Sequence, residues 1–207
     1  MIRAEKIFKE FGDQQVLKGI DFTFEAGKTN LVIGKSGSGK TVLLKILVGL
    51  FKPTAGHVWY DDIDLVNADK DTLRKLRMQV GMLFQGNALF DSMTIEENIR
   101  FPLDMFTHKT LKEKTDQVNY CLDRVSLTGV NKKFPSEISE KKKKRVGIAR
   151  AIVLNPKYLF CDEPNSGLDP QTSITIDELI QDITRDNNIT TIINTHDMNS
   201  VMEIGEN

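Results

Sequence analysis

Gly34-Lys35-Ser36-Gly37-Ser38-Gly39-Lys40-Thr41 follows the apolar run Thr29-Asn30-Leu31-Val32-Ile33 and opens a second apolar segment over 40–51. The spacing is G-x-x-x-x-G-K-[ST], set between a strand pattern and a helix pattern. Glycines there let backbone N–H groups curl around phosphate oxygens with no Cβ in the way, and the helix N-terminus adds positive partial charge. Gly34, Lys35, Ser36, Gly37, Ser38 and Gly39 form the cradle, Lys40 reaches the β- and γ-phosphates, and the Thr41 hydroxyl ligates Mg2+. A buried strand feeding a helix through such a loop predicts an α/β fold.

Outward from this loop, 2–8 reads as a strand. The turn Phe11-Gly12-Asp13 separates it from a second strand in which Ile20, Phe22 and Phe24 share one face, so an antiparallel pair is expected at the start. The helix over 40–51 should stop before Lys52-Pro53. His57-Val58-Trp59-Tyr60 and Val80-Gly81-Met82-Leu83-Phe84 read as strands. From 86 to 154 strand signals vanish. Thr94…Glu97 and Thr110…Glu113 carry the capping-box spacing, and helices are expected near 94–100, 110–126 and 141–154. Tyr158-Leu159-Phe160-Cys161 is a buried strand ending in Asp162-Glu163. A helix over 171–186, a strand over 190–194 and a short helix over 198–204 follow. The chain thus divides as one domain, 1–207, whose core is 1–85 and 155–207, with an all-α insertion at 86–154.

Composition narrows the classes. With 207 residues, 40% hydrophobic, 28% charged, 14 Gly and 6 Pro, the chain is neither collagen-like nor low-complexity nor a disulfide scaffold. Lys+Arg 28 against Asp+Glu 29 gives a net charge of -1, so no nucleic-acid partner is expected from global charge. The run Lys141-Lys142-Lys143-Lys144-Arg145 has no interleaved aromatic and reads as a solvated helix face. No apolar run approaches the roughly 18 residues that span a bilayer, and the start has no signal-peptide pattern, so a soluble chain is expected. Cys121 and Cys161 fit no metal spacing and read as reduced thiols of a cytosolic protein.

Asp162 and Glu163 end a buried strand, and ligands in α/β sheets gather beyond the carboxyl ends of the strands. Asp162 can hold Mg2+ through water, and Glu163 can orient and deprotonate an attacking water. With the phosphate cradle, these acids identify a P-loop NTPase.

Further residues resemble the ATP-binding subunits of ABC transporters over nearly the whole chain. Gln85 stands after a strand as in the Q-loop, Ser166-Gly167-Leu168-Asp169-Pro170 is similar to the D-loop, and His196 matches the switch histidine. Phe11 stands where the family places an aromatic on adenine, with Val16 beside it. The resemblance implies an ABC-type P-loop core with an N-terminal antiparallel β subdomain and a helical insertion. In it Gln85 senses Mg2+ and water and links them to the helical insertion, His196 touches the γ-phosphate, and Asp169 acts across a homodimer interface. It further implies ATP as substrate and an integral membrane permease as partner on the cytoplasmic face. Phe84-Gln85-Gly86-Asn87-Ala88-Leu89-Phe90-Asp91-Ser92-Met93-Thr94 is similar to ATPases of Mla-type phospholipid transporters, which implies lipid cargo and an MCE-domain partner.

Two departures stand out. The family signature Leu-Ser-Gly-Gly-Gln is replaced by Ile138-Ser139-Glu140-Lys141-Lys142, leaving Ser139 as the one phosphate-contacting position retained. Glu140 adds bulk and a charge whose repulsion from phosphate is roughly 4 kcal/mol per pair at about 4 Å and an effective dielectric near 20. ATP binding with impaired closure and turnover is therefore expected. The family domain also extends beyond the switch histidine, so its C-terminal part is expected to be missing from this sequence. Two alternatives stay open: an ATP-binding module with impaired hydrolysis, and a non-transport ABC ATPase. The latter usually carries long coiled-coil insertions, and the stretch between Gln85 and Ser139 has no sustained heptads. No Asn-Lys-x-Asp loop is present for guanine selection.

Overall fold

The alternation at the start of the chain builds a hairpin. In the computed structural model, which describes residues 1–197, 201, 202 and 204, β1 (Ile2–Phe11) and β2 (Gln14–Phe24) pair antiparallel across Gly12. β4 (Ala55–Tyr60) joins the other side of β1, and the short β5 (Ile63–Asp64) returns on it, giving the order β2-β1-β4-β5. Gly56 makes this pairing close. At φ 96° a Cβ there would lie 2.1 Å from the Lys6 carbonyl oxygen, so no other residue fits without moving β1.

The second sheet is parallel, in the order β3 (Thr29–Ile33), β8 (Thr190–Thr195), β7 (Tyr158–Asp162), β6 (Val80–Leu83). Parallel neighbours need crossovers. α1 (Lys40–Leu47) follows β3, and α6 (Pro170–Asp186) links β7 to β8. Every residue of β7 and β8 is buried, as expected of interior strands covered on both faces. Alternation along them separates two cores. Tyr158, Phe160 and Ile192 pack with α1 and the antiparallel sheet, whereas Leu159, Cys161 and Ile193 pack with the helical side.

α2 (Lys70–Arg77) precedes β6. Three α-helices then lie between β6 and β7, α3 (Ile95–Phe106), α4 (Leu111–Arg124) and α5 (Glu140–Ile152), with a single 3-10 turn over Pro135–Glu137 before the last. Both capping boxes form. Thr94 and Thr110 accept from the backbone N–H three residues on, and Glu97 and Glu113 reach back to the cap N–H. No helix among the described residues is long and apolar enough to cross a membrane.

Several expectations are corrected. β3 is an edge strand rather than a buried one, and Ile33 is half exposed. Phe22 shares its face with Phe24 as expected, their rings edge-on, although Phe22 itself is exposed on β2, also a sheet edge. The first helix ends at Leu47, not 51, because Gly49 turns left-handed at φ 73°. α3 runs through Pro102 to Phe106, where burial of Leu103 outweighs the hydrogen bond that proline forgoes. The lysine run is not a uniformly solvated face, since Lys144 is buried. Most of the helix expected over 198–204 lies outside the described residues.

Candidate active site

The loop between β3 and α1 is shaped by backbone that side chains disfavour. Gly37 and Gly39 stand at φ 78° and 96°. Gly39 is the N-cap of α1 and offers no side-chain acceptor, so N–H groups of the first turn face the loop interior without an intrahelical partner. A Cβ on Gly39 would meet Leu17 at 3.0 Å and Val16 at 3.1 Å, which shows how tightly β2 abuts the loop. Lys40 Nζ donates to Gly34 O at 2.8 Å and Lys35 O at 3.3 Å, folding the loop around its own ammonium.

The opposite wall is the tip of β7. Thr41 Oγ1 donates to Asp162 Oδ1 at 2.9 Å. Lys40 Nζ lies 3.4 Å from Glu163 Oε1, with these side chains only 8% and 11% exposed. The second carboxylate oxygen, Oε2, is 2.7 Å from His196 Nδ1. Glu163 itself sits at φ 49°, a left-handed position costing on the order of 1–3 kcal/mol for a non-glycine residue. Asn194 holds it there: both its backbone carbonyl (3.0 Å) and its side-chain Oδ1 (3.2 Å) accept from the Glu163 N–H. Lys40, Glu163 and His196 thus form a continuous chain beside the Thr41–Asp162 pair. A cleft of about 330 Å³ opens next to it, lined by Glu163, Ser166 and His196.

Gln85 approaches from the end of β6, its Nε2 donating to Ser166 Oγ at 3.2 Å. Phe11 is exposed on the hairpin, edge-on to Phe51 and with Lys9 Nζ 4.9 Å above its ring. Asp169 is the N-cap of α6 and accepts from Thr172 N–H and its hydroxyl, which hold its carboxyl below the ordinary range. Ser139 is not among the groups joined at the loop; it is the N-cap of α5 and accepts from Lys142 N–H. Glu140 pairs with Lys143 at 2.7 Å, so the charge expected to repel phosphate is offset within its own helix.

Sequence reasoning missed the roles of Asn194 and Lys144, and named Ser166 only as part of the D-loop-like segment, without its contact with Gln85. A polar residue inside an otherwise apolar strand was the one available signal for Asn194. Nothing local marks Lys144 within a run of lysines.

The donors fit Mg2+. Thr41 and Asp162 present hard oxygens beside the cradle, and no cluster of three or more His, Cys, Asp or Glu suited to a metal exists among the described residues. Mg2+ is characteristically held by one or two protein oxygens, with substrate phosphates and waters completing the shell.

The chain is 39% identical over 206 residues to the Mycobacterium tuberculosis protein named "Probable ribonucleotide transport ATP-binding protein mkl", covering all of this chain and 57% of the relative. It is 38% identical over 192 residues to the methionine import ATP-binding protein MetN of Carboxydothermus hydrogenoformans, covering 92% of this chain and 56% of that one. The chain therefore spans a little over half the length of these relatives. The dimeric structure of MJ0796, a bacterial ABC transporter cassette, superposes with a TM-score of 0.89 at 30% identity, covering 98% of this chain and 91% of that one. A post-hydrolysis form of the same cassette, bound to ADP and Pi, matches equally well at 0.89 and 29% identity. The ABC transporter family model matches residues 17–166, from β2 through the tip of β7, and with this fold the chain belongs to that family.

Proposed function

We propose that the chain is the ATP-binding and hydrolysing subunit of an ABC-type membrane transporter. The observation that carries it is the chain Lys40–Glu163–His196 set against the open N-terminus of α1. In that chain Lys40 is held by two loop carbonyls and one carboxylate, all weaker partners than a triphosphate. On binding, Lys40 turns to the β- and γ-phosphates and frees Glu163 Oε1 to take a proton from the attacking water. His196 keeps the other carboxylate oxygen in place and faces the γ-phosphate. Thr41 and Gln85, with Asp162 through water, would hold Mg2+, which neutralises charge on the phosphate oxygens. Val16 abuts the loop at Gly39, and Phe11, exposed on the same hairpin, is proposed to stack on the adenine.

Two copies are proposed to face head to tail, with Ser139 and Asp169 meeting the partner's nucleotide. The helical insertion is proposed as the moving part. An apolar groove of about 390 Å³ lined by Met82, Phe84, Phe90, Phe101 and Phe106 supports a docked permease helix on the cytoplasmic membrane face. Lipid cargo and an MCE-domain partner rest on the segment 84–94; the names of the mkl and MetN relatives point to other solutes. Mass spectrometry of lipids and proteins co-purified from membranes decides this. A permease with bound phospholipid supports the lipid reading, and a permease carrying another solute contradicts it.

Glu140 and Lys141 favour a second reading, an ATP-binding module with slowed hydrolysis. Side chains stand where close backbone approach to phosphate is needed, although the Glu140–Lys143 pair removes much of the electrostatic objection. Steady-state phosphate release tests both readings. Glu163→Gln should lower turnover by about 10²-fold or more, and Glu140→Gly with Lys141→Gly should raise it. Equal turnover in all three forms contradicts the hydrolytic role of this site.

A further inference from the structure

The turn after β6 is gripped from behind by α5. Asn87 and Ala88 both adopt left-handed backbone, at φ 60° and 49°, which residues bearing a Cβ keep only when their surroundings enforce it. The surroundings here are two cations of α5. Lys144 Nζ donates to Gln85 O at 2.9 Å, Arg150 Nη1 donates to Ala88 O at 2.6 Å, and Arg150 Nη2 donates to Asn87 O. Lys144 is 2% exposed, and burial depresses its proton affinity. A buried ammonium is costly to maintain, and a methionine or leucine would fill the same space without that cost. The turn it holds carries Gln85, whose side chain is tied at its far end to Ser166 in the loop after Glu163. Gln85 is therefore fixed at both ends, by α5 at its carbonyl and by the site at its amide.

We propose that Lys144 is a positioning residue: by holding the Gln85 carbonyl it sets how far the Gln85 side chain reaches toward the metal beside Thr41 and Asp162, tying that reach to the placement of α5. Arg150 fixes the remainder of the turn. The inference rests on the ATP-binding reading above.

The test is binding of a fluorescent ATP analogue, titrated with Mg2+, to the full chain and to Lys144→Met, Lys144→Arg, Gln85→Ala and the Lys144→Met/Gln85→Ala pair. Methionine keeps the length and apolar bulk of lysine but cannot donate, and arginine keeps a donor. Lys144→Leu, which also cannot donate, replaces the methionine variant if thermal melting shows that it does not fold. Affinity without Mg2+ should be the same in every form. The Mg2+ concentration that half-saturates the nucleotide-bound chain should rise about tenfold in Lys144→Met, the usual effect of losing a residue that orients a metal ligand. Gln85→Ala should show a similar rise, and the double variant should be no worse than Gln85→Ala alone, because both changes break one path. Arginine should restore most of the loss. A Mg2+ requirement unmoved by Lys144→Met overturns the proposal, and so do losses that multiply in the double variant. A lysine with only a packing role would lower the melting temperature and leave the Mg2+ requirement alone. An unmutated chain that binds no nucleotide sinks the ATP reading and this inference with it; binding with an unmoved Mg2+ requirement sinks this inference alone.

Discussion

Glu163 answers to two neighbours at once, Lys40 through one oxygen and His196 through the other, and its backbone is kept left-handed by Asn194. Asn194→Ala should therefore reduce ATP turnover while leaving nucleotide affinity intact, since the cradle is untouched. Its cost in stability should be no more than about 1 kcal/mol, because the Asn194 backbone carbonyl still accepts from the Glu163 N–H at 3.0 Å. Phosphate release and urea unfolding of the variant check both statements. The cysteines give a second prediction. Cys121 and Cys161 are buried free thiols; burial raises both, Cys121 to about 12. Neither should alkylate at pH 8 in the folded chain, and both should after denaturation, as mass spectrometry would show. The cradle and Asp162-Glu163 were legible in the sequence because their requirements are local: a glycine where no Cβ fits, an acid at a strand tip. Asn194 and Lys144 act on residues from other elements, and no local pattern announces such partners.

Among the elements, α3 shows what capping alone can fix. Thr94 accepts from Glu97 N–H, and the Thr94 N–H donates to the Glu97 carboxylate. Thr94→Ala should destabilise the chain by about 1 kcal/mol in urea unfolding, with nucleotide affinity unchanged. That spacing made the start of α3 readable, whereas its end was misplaced because Pro102 looks like a stop until the burial of Leu103 is known. α2 went unread. Asp69 caps it and accepts from Thr72 N–H, but its apolar face is carried only by Leu73 and Leu76 on a strongly charged segment. The edge position of β3 was equally invisible, because strand order is decided by pairings across the whole chain.

At the scale of the molecule, two sheets and the helical insertion converge on the tip of β7, and peripheral carboxylates set the acid limit. Burial alone would raise Asp64, but bonds from His57, the Val66 N–H and Asn67 outweigh it. At Asp104, burial is outweighed by Lys114 and Arg100. Both carboxyls are held below their ordinary value of 3.8. A depressed folded-state value means stability that is present above the unfolded-state value and lost as pH falls through the folded one. The melting temperature should therefore fall as pH drops below about 4, and Asp104→Asn should flatten part of that fall. The α/β class and the all-helical stretch were readable because strand and helix periodicities differ along the chain, whereas the packing of Lys144 against Gln85 needed the assembled fold. The central claim is that the loop 34–41 grips a triphosphate through Lys40. Isothermal titration of Mg-ATP into the chain and into Lys40→Ala tests it directly. Saturable binding to the first, weakened at least about tenfold in the second, is predicted; equal affinity in both would contradict it.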